Sequence, residues 1–380
     1  MKDLFLLDPK ITYLNFGSFG ACPKPIFEDY IHWQYLLEKD PVQFITETGP
    51  KYLENSKSAL GQFIHCDPND LIFTPNPTYA INLVVKSLKL NSGDEVLTTN
   101  LEYGALDKTW NFYLNKCGGK YVQSLITLPI QSKDEFITEF WKGYSEKTKV
   151  IFISQITSAT GLILPVKEIC IEAKKRGLIT IVDGAHVPGH IHLNLKELDP
   201  DFYTGACHKW MMTPKGCSFL YVKKEFHQML EPFIVSWGYD ESIQEHRFQE
   251  FQQFNGTRDF SAYLTVPAAL KFMHDYNWEQ KSDNCKNLLL ECANEVMEYL
   301  NVEPLAPLNK DFFGQLCSCS IESKNPSKLK KLLYEKYQIQ IPVIESNSKV
   351  YLRFSIQAFN TKEDVLRLIA VLKEIGLGNF

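Results

Sequence analysis

The sequence predicts an α/β protein built on a parallel or mixed sheet, with a smaller α+β domain after it. From about residue 70 to 222, short runs of strand-forming residues alternate with helical stretches. Several of these runs are apolar at consecutive positions, which is typical of strands that helices cover on both faces. After about residue 262 the alternation stops, and a long helical stretch precedes further strand-like runs.

The individual elements follow in chain order. The predicted strands of the first part are LIFT (71–74), EVLTT (95–99), KVIFISQ (149–155), LITIVDG (178–184), DFYTG (201–205) and CSFLYV (217–222). Its clearest predicted helices are Tyr79–Leu88 and Val166–Arg176. The second part contains a helical stretch over 262–300, a strand at QLCSCSIES (315–323), a helix at 327–337, strands at IQIPVI (339–344) and VYLRFSI (350–356), and a helix at 361–375.

Composition excludes several classes of protein. The chain has a net charge of −5 with both signs spread along it, so neither a nucleic acid nor an acidic membrane surface is expected as a partner. The start MKDLFLLDPK lacks an apolar core and a cleavage site, and no later apolar run reaches membrane-spanning length, so we predict a cytoplasmic protein. The ten cysteines are scattered without a C-x-x-C, which predicts reduced thiols and no metal site.

Ligands of open α/β sheets bind beyond the carboxyl ends of the strands, so the polar residues that follow each strand are the candidates. These are 75–78 (PNPT), Glu102-Tyr103, 157–161 (TSATG), 183–186 (DGAH) and His208-Lys209. The chain contains no G-x-G-x-x-G, P-loop, H-E-x-x-H or G-x-S-x-G motif. Nicotinamide, nucleoside-triphosphate, zinc-protease and α/β-hydrolase chemistry therefore lack their motifs.

Lys209 and Asp183 carry the strongest chemical signal. Lys209 is followed by Trp-Met-Met, so it is either a snorkelling lysine or a buried amine that loses its proton and attacks an aldehyde. Asp183 ends an apolar strand, where it is either a helix N-cap or a partner for a buried cation. A pyridinium nitrogen suits that second possibility, because its protonation makes pyridoxal phosphate an electron sink.

Six segments together resemble one family. They are YLNFGSFGACP (13–23), TPNPTYAIN (74–82), TSATGLILPV (157–166), DGAHVPGH (183–190), GACHKWMMTPKG (205–216) and VYLRFSIQAFNT (350–361). In this order they resemble the class V aminotransferase family of fold-type I pyridoxal-phosphate enzymes, and within it the isopenicillin N epimerase-like branch. The resemblance implies an N-terminal arm (1–25), a large cofactor-binding α/β/α domain with a seven-stranded, mostly parallel sheet (26–262), and a small α+β domain (263–380).

The resemblance also implies pyridoxal 5′-phosphate as cofactor and a role for each matching residue. Lys209 forms a Schiff base and moves the Cα proton, and Asp183 pairs with the ring nitrogen. The other implied cofactor contacts are His186 near O3′, Ser158 at O3′ or at the substrate carboxylate, Ala185 as a small residue that lets the ring lie flat, and Asn76, Pro77, Thr78 and His208 around the phosphate. Tyr103 is implied as a catalytic residue stacked on the ring, although it could also be an ordinary core tyrosine. A phosphate beside Thr78 agrees with anion binding at helix N-termini.

Substrate and partner contacts are implied in the same way. Arg353 resembles the arginine that binds the substrate carboxylate in a bidentate fork, which lysine cannot do, although it could also be a surface arginine. Asn15 and Ser18 lie in the arm that approaches the substrate. Thr257, in FNGTRD, resembles the residue that reaches the phosphate of the neighbouring subunit, which implies a homodimer with shared active sites.

Two positions depart from the family pattern. Pro77 replaces a small residue that has an amide N–H, which removes one phosphate donor but suits a first helical turn. Phe16 stands where this branch often has a histidine, which puts the identity of the substrate in doubt.

Several reactions stay open. The first is epimerisation of an amino-acid substrate at Cα, and the alternatives are a carbon–sulfur lyase of the hercynylcysteine sulfoxide lyase kind and an aminotransferase. A cysteine desulfurase needs a nucleophilic cysteine shortly before the carboxylate arginine, and no cysteine lies between Cys319 and Arg353. A binding protein without activity is disfavoured because Lys209 and Asp183 are both intact.

Overall fold

The computed structural model describes residues 1–240 and 247–376. The strands are β1 (Thr12–Tyr13), β2 (Leu71–Thr74), β3 (Glu95–Thr99), β4 (Lys120–Ser124), β5 (Thr148–Ser154), β6 (Ile179–Asp183), β7 (Phe202–Gly205), β8 (Ser218–Val222), β9 (Leu316–Ile321), β10 (Ile339–Gln340), β11 (Val343–Ser346) and β12 (Lys349–Ser355). The helices are α1 (Phe16–Phe19), α2 (Lys24–Lys39), α3 (Pro41–Gln43), α4 (Gly49–Phe63), α5 (Pro77–Ser87), α6 (Gly104–Cys117), α7 (Lys133–Trp141), α8 (Val166–Lys175), α9 (Leu195–Leu198), α10 (Arg247–Gln253), α11 (Ser261–Leu264), α12 (Val266–Asp275), α13 (Trp278–Leu300), α14 (Pro326–Glu335) and α15 (Lys362–Ile375).

A seven-stranded sheet forms the centre of the molecule, in the order β2-β8-β7-β6-β5-β3-β4. Five strands run parallel to one another, in the order β4, β3, β5, β6 and β7. Strand β8 runs antiparallel to both of its neighbours, β7 and β2. The predicted fold class is therefore confirmed. The edge strand β4, KYVQS, was absent from the predicted strands because three of its five residues are polar and it forms no apolar run.

Strand β5 shows why the central strands are apolar on both faces. Val150 and Phe152 pack in a core with helices α5 and α6. Ile151 and Ile153, which point to the opposite face, pack in the second core with helix α8. Successive strand residues face opposite sides, so a strand between two helical layers must be apolar at every position.

A smaller antiparallel sheet, in the order β11-β12-β9, carries the C-terminal part. The helical stretch expected over 262–300 is divided into α11, α12 and α13, because Pro267 starts a new helix and Asn277 adopts a left-handed conformation with φ 48°. Pro342 separates β10 from β11. None of the helices within the described residues is long and apolar enough to cross a membrane. The domain boundaries at 25/26 and 262/263 stay a prediction.

The N-terminal arm connects the two sheets. Strand β1 pairs in parallel with β10, with Thr12 opposite Ile339. The amide of Phe16 then donates to Ser355 Oγ at 2.7 Å, and the buried Phe16 ring packs against Trp210 at 5.1 Å between centroids. The next turn of the arm lies directly on the loop that contains Lys209.

We predict that Gly20→Ala destabilises the protein more than Gly93→Ala. Both glycines have positive φ, 63° and 87°, but a Cβ at Gly20 would lie 2.3 Å from the His208 carbonyl oxygen, whereas one at Gly93 meets nothing within 4 Å. Urea unfolding of the cofactor-free variants should show losses of about 2–5 kcal/mol and about 1–2 kcal/mol respectively. Equal losses would mean that the arm is not closely packed on this loop.

Candidate active site

A cavity of about 220 Å³ opens at the carboxyl edge of the central sheet. It brings together most of the residues predicted from the sequence: Ser18, Asn76, Pro77, Thr78, Tyr103, Ser158, Asp183, Ala185, His186, His208, Lys209 and Arg353. Two predicted residues do not line it. Asn15 is buried behind Ser18, and Thr257 is exposed elsewhere on the surface.

Lys209 lies in the loop between β7 and β8, with its Nζ 3.1 Å from His186 Nε2. Burial lowers the pKa of Lys209 to about 8; the Asp183 carboxylate opposes this shift and the Arg353 cation adds to it. A substantial fraction of the side chain is therefore a neutral amine near physiological pH. Such an amine can attack a carbonyl carbon, as a snorkelling lysine on the surface could not.

His186 is held in one tautomer. The indole N–H of Trp210 can only donate, and it donates to His186 Nδ1 at 3.5 Å, so the proton of the neutral ring lies on Nε2. Burial lowers the pKa of His186 well below its usual value, and the nearby Lys209 and Arg353 charges lower it further. The Nε2–H of His186 then donates to the neutral Lys209 amine.

Asp183 is the last residue of β6, and its side chain is buried beside the cavity. Its Oδ1 accepts the Ala185 N–H at 2.9 Å. Burial raises the pKa of Asp183, while the Ala185 amide and the Lys209 charge hold it down. The chain after Asp183 forms turns and no helix begins there, so this aspartate is not a helix N-cap. It remains a buried carboxylate available to a cation.

The first turn of α5 faces the same cavity. Asn76 caps the helix by accepting the Tyr79 N–H at 2.9 Å, and Pro77 and Thr78 begin the helix. This arrangement suits a phosphate. Pro77 occupies a first-turn position that needs no N–H, as predicted from the sequence.

His208 lines the same cavity, with hydrogen bonds that the sequence did not indicate. Its Nδ1–H donates to the Cys217 carbonyl at 2.9 Å, which leaves Nε2 without a proton in the neutral ring. Burial lowers the pKa of His208 to about 4. His208 can therefore donate to a phosphate through Nε2 only after it takes up a proton, which the phosphate charge would favour.

Arg353 comes from β12 and is 4% exposed, so it is not a surface arginine. Its Nη1 donates to the Ser158 carbonyl and its Nη2 to Ser18 Oγ at 2.8 Å. Ser18 in turn donates to Asn15 Oδ1 at 2.5 Å, which gives Asn15 an indirect place in the site. Arg353 Nε has no hydrogen-bond partner among the described residues. Burial lowers the pKa of Arg353 to about 10, so it remains a cation at neutral pH.

Tyr103 lies at the mouth of the cavity and is 45% exposed, which argues against an ordinary core tyrosine. Sequence reasoning missed Gly17, Phe19, Leu106, Ser154 and Ile156, which also line the cavity. Ser154 ends a predicted strand, so the strand-end rule could have found it. The apolar residues gave no signal, because nothing in their local pattern separates them from core positions.

Neither a cysteine nor a metal-binding cluster forms part of this cavity among the described residues. The ten cysteines are free thiols, and none of them lines the cavity. Within the described ranges, no group of three or more His, Cys, Asp or Glu side chains is arranged to hold a metal ion.

An amine that can react with an aldehyde, set beside a buried carboxylate at the edge of a mostly parallel sheet, is what a fold-type I pyridoxal-phosphate enzyme requires, and the fold and cavity define this class. Residues 41–368 match the family model described as Aminotransferase class-V, and the chain belongs to that family.

Individual relatives cover nearly the whole chain. The isopenicillin N epimerase of Amycolatopsis lactamdurans is 30% identical over 97% of this chain and 96% of its own length. The hercynylcysteine sulfoxide lyase of Schizosaccharomyces pombe is 25% identical over 98% and 96%. A solved structure of a C-DES variant with glycine covalently linked to its pyridoxal-phosphate cofactor has a TM-score of 0.81 at 21% identity, covering 98% of both chains.

Pyridoxal 5′-phosphate is therefore the cofactor of this chain. The cavity itself agrees with this cofactor. It contains an amine with a lowered pKa, a buried carboxylate and a helix N-terminus.

We predict that Lys209→Ala abolishes covalent attachment of the cofactor, whereas Lys215→Ala, in the same loop, leaves it unchanged. Only Lys209 presents its amine to the cavity. The proteins would be incubated with pyridoxal phosphate, reduced with borohydride and digested. Mass spectrometry should find the added mass on the Lys209 peptide of the wild type and of Lys215→Ala. Attachment elsewhere, or none in the wild type, would contradict the assignment of Lys209.

Proposed function

We propose that the protein is a pyridoxal-phosphate enzyme that acts at the Cα atom of an amino acid, with epimerisation as its reaction. One observation carries this proposal: the Lys209 amine, the buried Arg353 cation and the Tyr103 phenol line a single cavity. These groups provide a proton carrier, a carboxylate site and a second proton carrier. The full-length similarity to isopenicillin N epimerases supports the same choice.

Each residue has a distinct task in this proposal. Arg353 binds the substrate carboxylate, with its guanidinium oriented by Ser18 and Ser158. This fixes the orientation of the Cα–H bond, which is where most of the rate advantage of positioning arises. Lys209, with its amine held against His186, accepts the Cα proton. Tyr103 returns a proton to Cα from the other face.

The cofactor supplies the electron sink for this chemistry, and Asp183 supports it by stabilising a protonated ring nitrogen. Ala185, whose amide holds the Asp183 carboxylate, keeps that oxygen in place. The first turn of α5, with Thr78, and His208 bind the phosphate.

A carbon–sulfur lyase is the second candidate, favoured by the similarity to hercynylcysteine sulfoxide lyase over nearly the whole chain. This reaction begins with the same proton removal by Lys209 but needs no second proton carrier. An aminotransferase also shares the first step. A cysteine desulfurase is disfavoured because Cys317 and Cys319 are fully buried in β9, where burial raises the pKa of both thiols.

We further propose that the protein is a cytoplasmic homodimer in which Thr257 completes the partner's phosphate site. Thr257 is exposed and follows Gly256, whose φ of 109° is a conformation that favours glycine. Within its own subunit this hydroxyl does not line the cavity. An exposed threonine on such a turn is free to serve a second copy of the chain.

Exchange of the Cα proton in deuterated water separates the candidate reactions. We predict deuterium at Cα with loss of optical activity for at least one amino acid in a panel. Keto acid with ammonia and a released sulfur species would indicate elimination, and transfer of the amino group to an added keto acid would indicate transamination. If no amino acid exchanges its Cα proton, the proposed chemistry at Cα is wrong.

The variant Tyr103→Phe sharpens this measurement. It should slow inversion by about 10²-fold or more while proton exchange with retention continues, because only the second proton carrier is lost. Tyr113→Phe, which changes a tyrosine of the same region outside the cavity, is the control. Equal slowing of exchange and inversion would remove Tyr103 from this role.

The shared site predicts complementation between two inactive variants. Lys209→Ala and Thr257→Trp would be mixed, unfolded and refolded together. Random pairing produces mixed dimers with one intact site each, so the mixture should recover about a quarter of wild-type activity. No recovery, with dimers confirmed by light scattering, would show that Thr257 does not act across a subunit interface.

A further inference from the structure

Glu102 is a buried carboxylate that the proposed reaction does not use. It lies between β3 and Tyr103 and is 5% exposed. Oε1 accepts the Thr99 hydroxyl at 2.7 Å, and Oε2 accepts the Ser154 amide at 2.9 Å and the Ser154 hydroxyl at 2.6 Å. These donors are all neutral. No lysine, arginine or histidine forms an ion pair with Glu102 in residues 1–240 and 247–376.

A second buried carboxylate lies close to the first. Ser154, which holds Glu102, is the register partner of Asp183 on the adjacent strand. Neighbouring strands are about 4.8 Å apart. The sheet therefore places Glu102 and Asp183 near each other in a poorly solvated region. Two buried carboxylates in such a position do not both ionise without a cation, so one of them retains a proton.

The surroundings decide which carboxylate retains the proton. Asp183 accepts the Ala185 amide and experiences the Lys209 charge, and both favour its ionised form. Glu102 accepts from neutral donors as well, but it lacks the favourable charge that Lys209 gives to Asp183. Burial raises the pKa of Glu102 to about 8; its hydrogen bonds to Ser154 and Thr99 oppose this shift, and the Asp183 charge adds to it.

The remaining groups near Glu102 do not supply a cation. Tyr121 of β4 is neutral, because burial and the nearby Glu102 and Asp107 carboxylates raise the pKa of its phenol. Asp107 of α6 accepts the Tyr121 hydroxyl at 2.8 Å. Apart from Lys209 beyond Asp183, these elements present only neutral or acidic groups to Glu102.

We propose that Glu102 is a positioning residue that acts through Asp183: it holds a proton in the cofactor-free protein and releases it to solvent when a cationic ring is bound at Asp183. The ionised pair then offers two negative charges to one cation, which strengthens its binding. The inference depends on the cofactor and the geometry, and is independent of whether the enzyme epimerises or eliminates.

The pH dependence follows from the sign of the shift. Below about pH 8 the cofactor-free protein holds the proton on Glu102, so binding of the cation must release it. Above that pH the proton has already left, and binding releases nothing from this residue. Proton release on binding should therefore be greatest near neutral pH, between the lowered pKa of Glu102 in the bound protein and its pKa of about 8 in the free protein. It should fade as the pH rises through 8 and also at acidic pH, where Glu102 is protonated in both states.

Infrared difference spectroscopy tests whether the proton is present. Cofactor-free protein labelled with carboxyl-¹³C glutamate should show a protonated-acid carbonyl band near neutral pH, shifted from that of unlabelled protein. The band should be absent in Glu102→Gln and unchanged in Glu95→Gln. Glu95 is the matched control, because it is a buried glutamate at the opposite end of β3, bonded to Ser145.

Calorimetry tests the release. Pyridoxamine 5′-phosphate binds without forming a bond to Lys209, and titration in two buffers of different ionisation enthalpy counts the protons exchanged. Near neutral pH the wild type and Glu95→Gln should release about one proton more than Glu102→Gln. The glutamine oxygen can still accept the Ser154 amide and hydroxyl, and its NH2 can donate to Thr99 Oγ1, so a purely structural role would leave the proton count unchanged.

Two outcomes would overturn the proposal: absence of the labelled band in the wild type, or equal proton release in wild type and Glu102→Gln. If Glu102→Gln does not fold, the labelled wild type still decides the question. Its band must disappear when pyridoxamine 5′-phosphate binds, and persistence of the band would contradict the release of the proton.

Discussion

The desolvation of one amine constrains the rest of this active site. Lys209 can become a nucleophile only in a dry position, and a dry position must be built from segments that pack closely around its loop. The arm provides one wall, since Gly20 lies against the His208 and Lys209 backbone. His186, aligned by Trp210, donates its Nε2–H to the neutral Lys209 amine. Asp183 limits how far the pKa of the amine falls.

Arg353, which we propose binds the substrate carboxylate, poses a different electrostatic problem. A guanidinium retains its charge when buried, so Arg353 needs neutral oxygen acceptors that do not compete with a substrate carboxylate. Ser158 follows the central sheet and Ser18 belongs to the arm, and each supplies such an oxygen. Three distant parts of the chain thus orient one side chain before substrate arrives. This preorganisation reduces the entropy that binding must otherwise remove.

The sequence carried more information about the main sheet than about contacts between strands. Consecutive apolar residues identified the doubly covered strands, and the strand-end rule located Lys209 and Asp183. The edge strand Lys120–Ser124 was not predicted because its polar residues interrupt the apolar run. The sequence did not show that Glu102 lies near Asp183. This proximity follows from the register of β5 and β6, which places Ser154 opposite Asp183. The sequence could not predict the tautomers of His186 and His208 either, because they depend on where Trp210 and Cys217 lie in the folded chain.

The pairing of β1 with β10 has a consequence for the order in which the molecule is assembled. Thr12 is synthesised long before its partner Ile339, because most of the described chain lies between them. The sheet that holds Lys209 can form as soon as its own strands have emerged, because its contacts are far more local. The arm can pair with β10 only after Ile339 has been synthesised. The hydrogen bond from Arg353 to Ser18 therefore also forms late. A nascent chain would therefore form the sheet that holds Lys209 before the arm that desolvates its amine is in place.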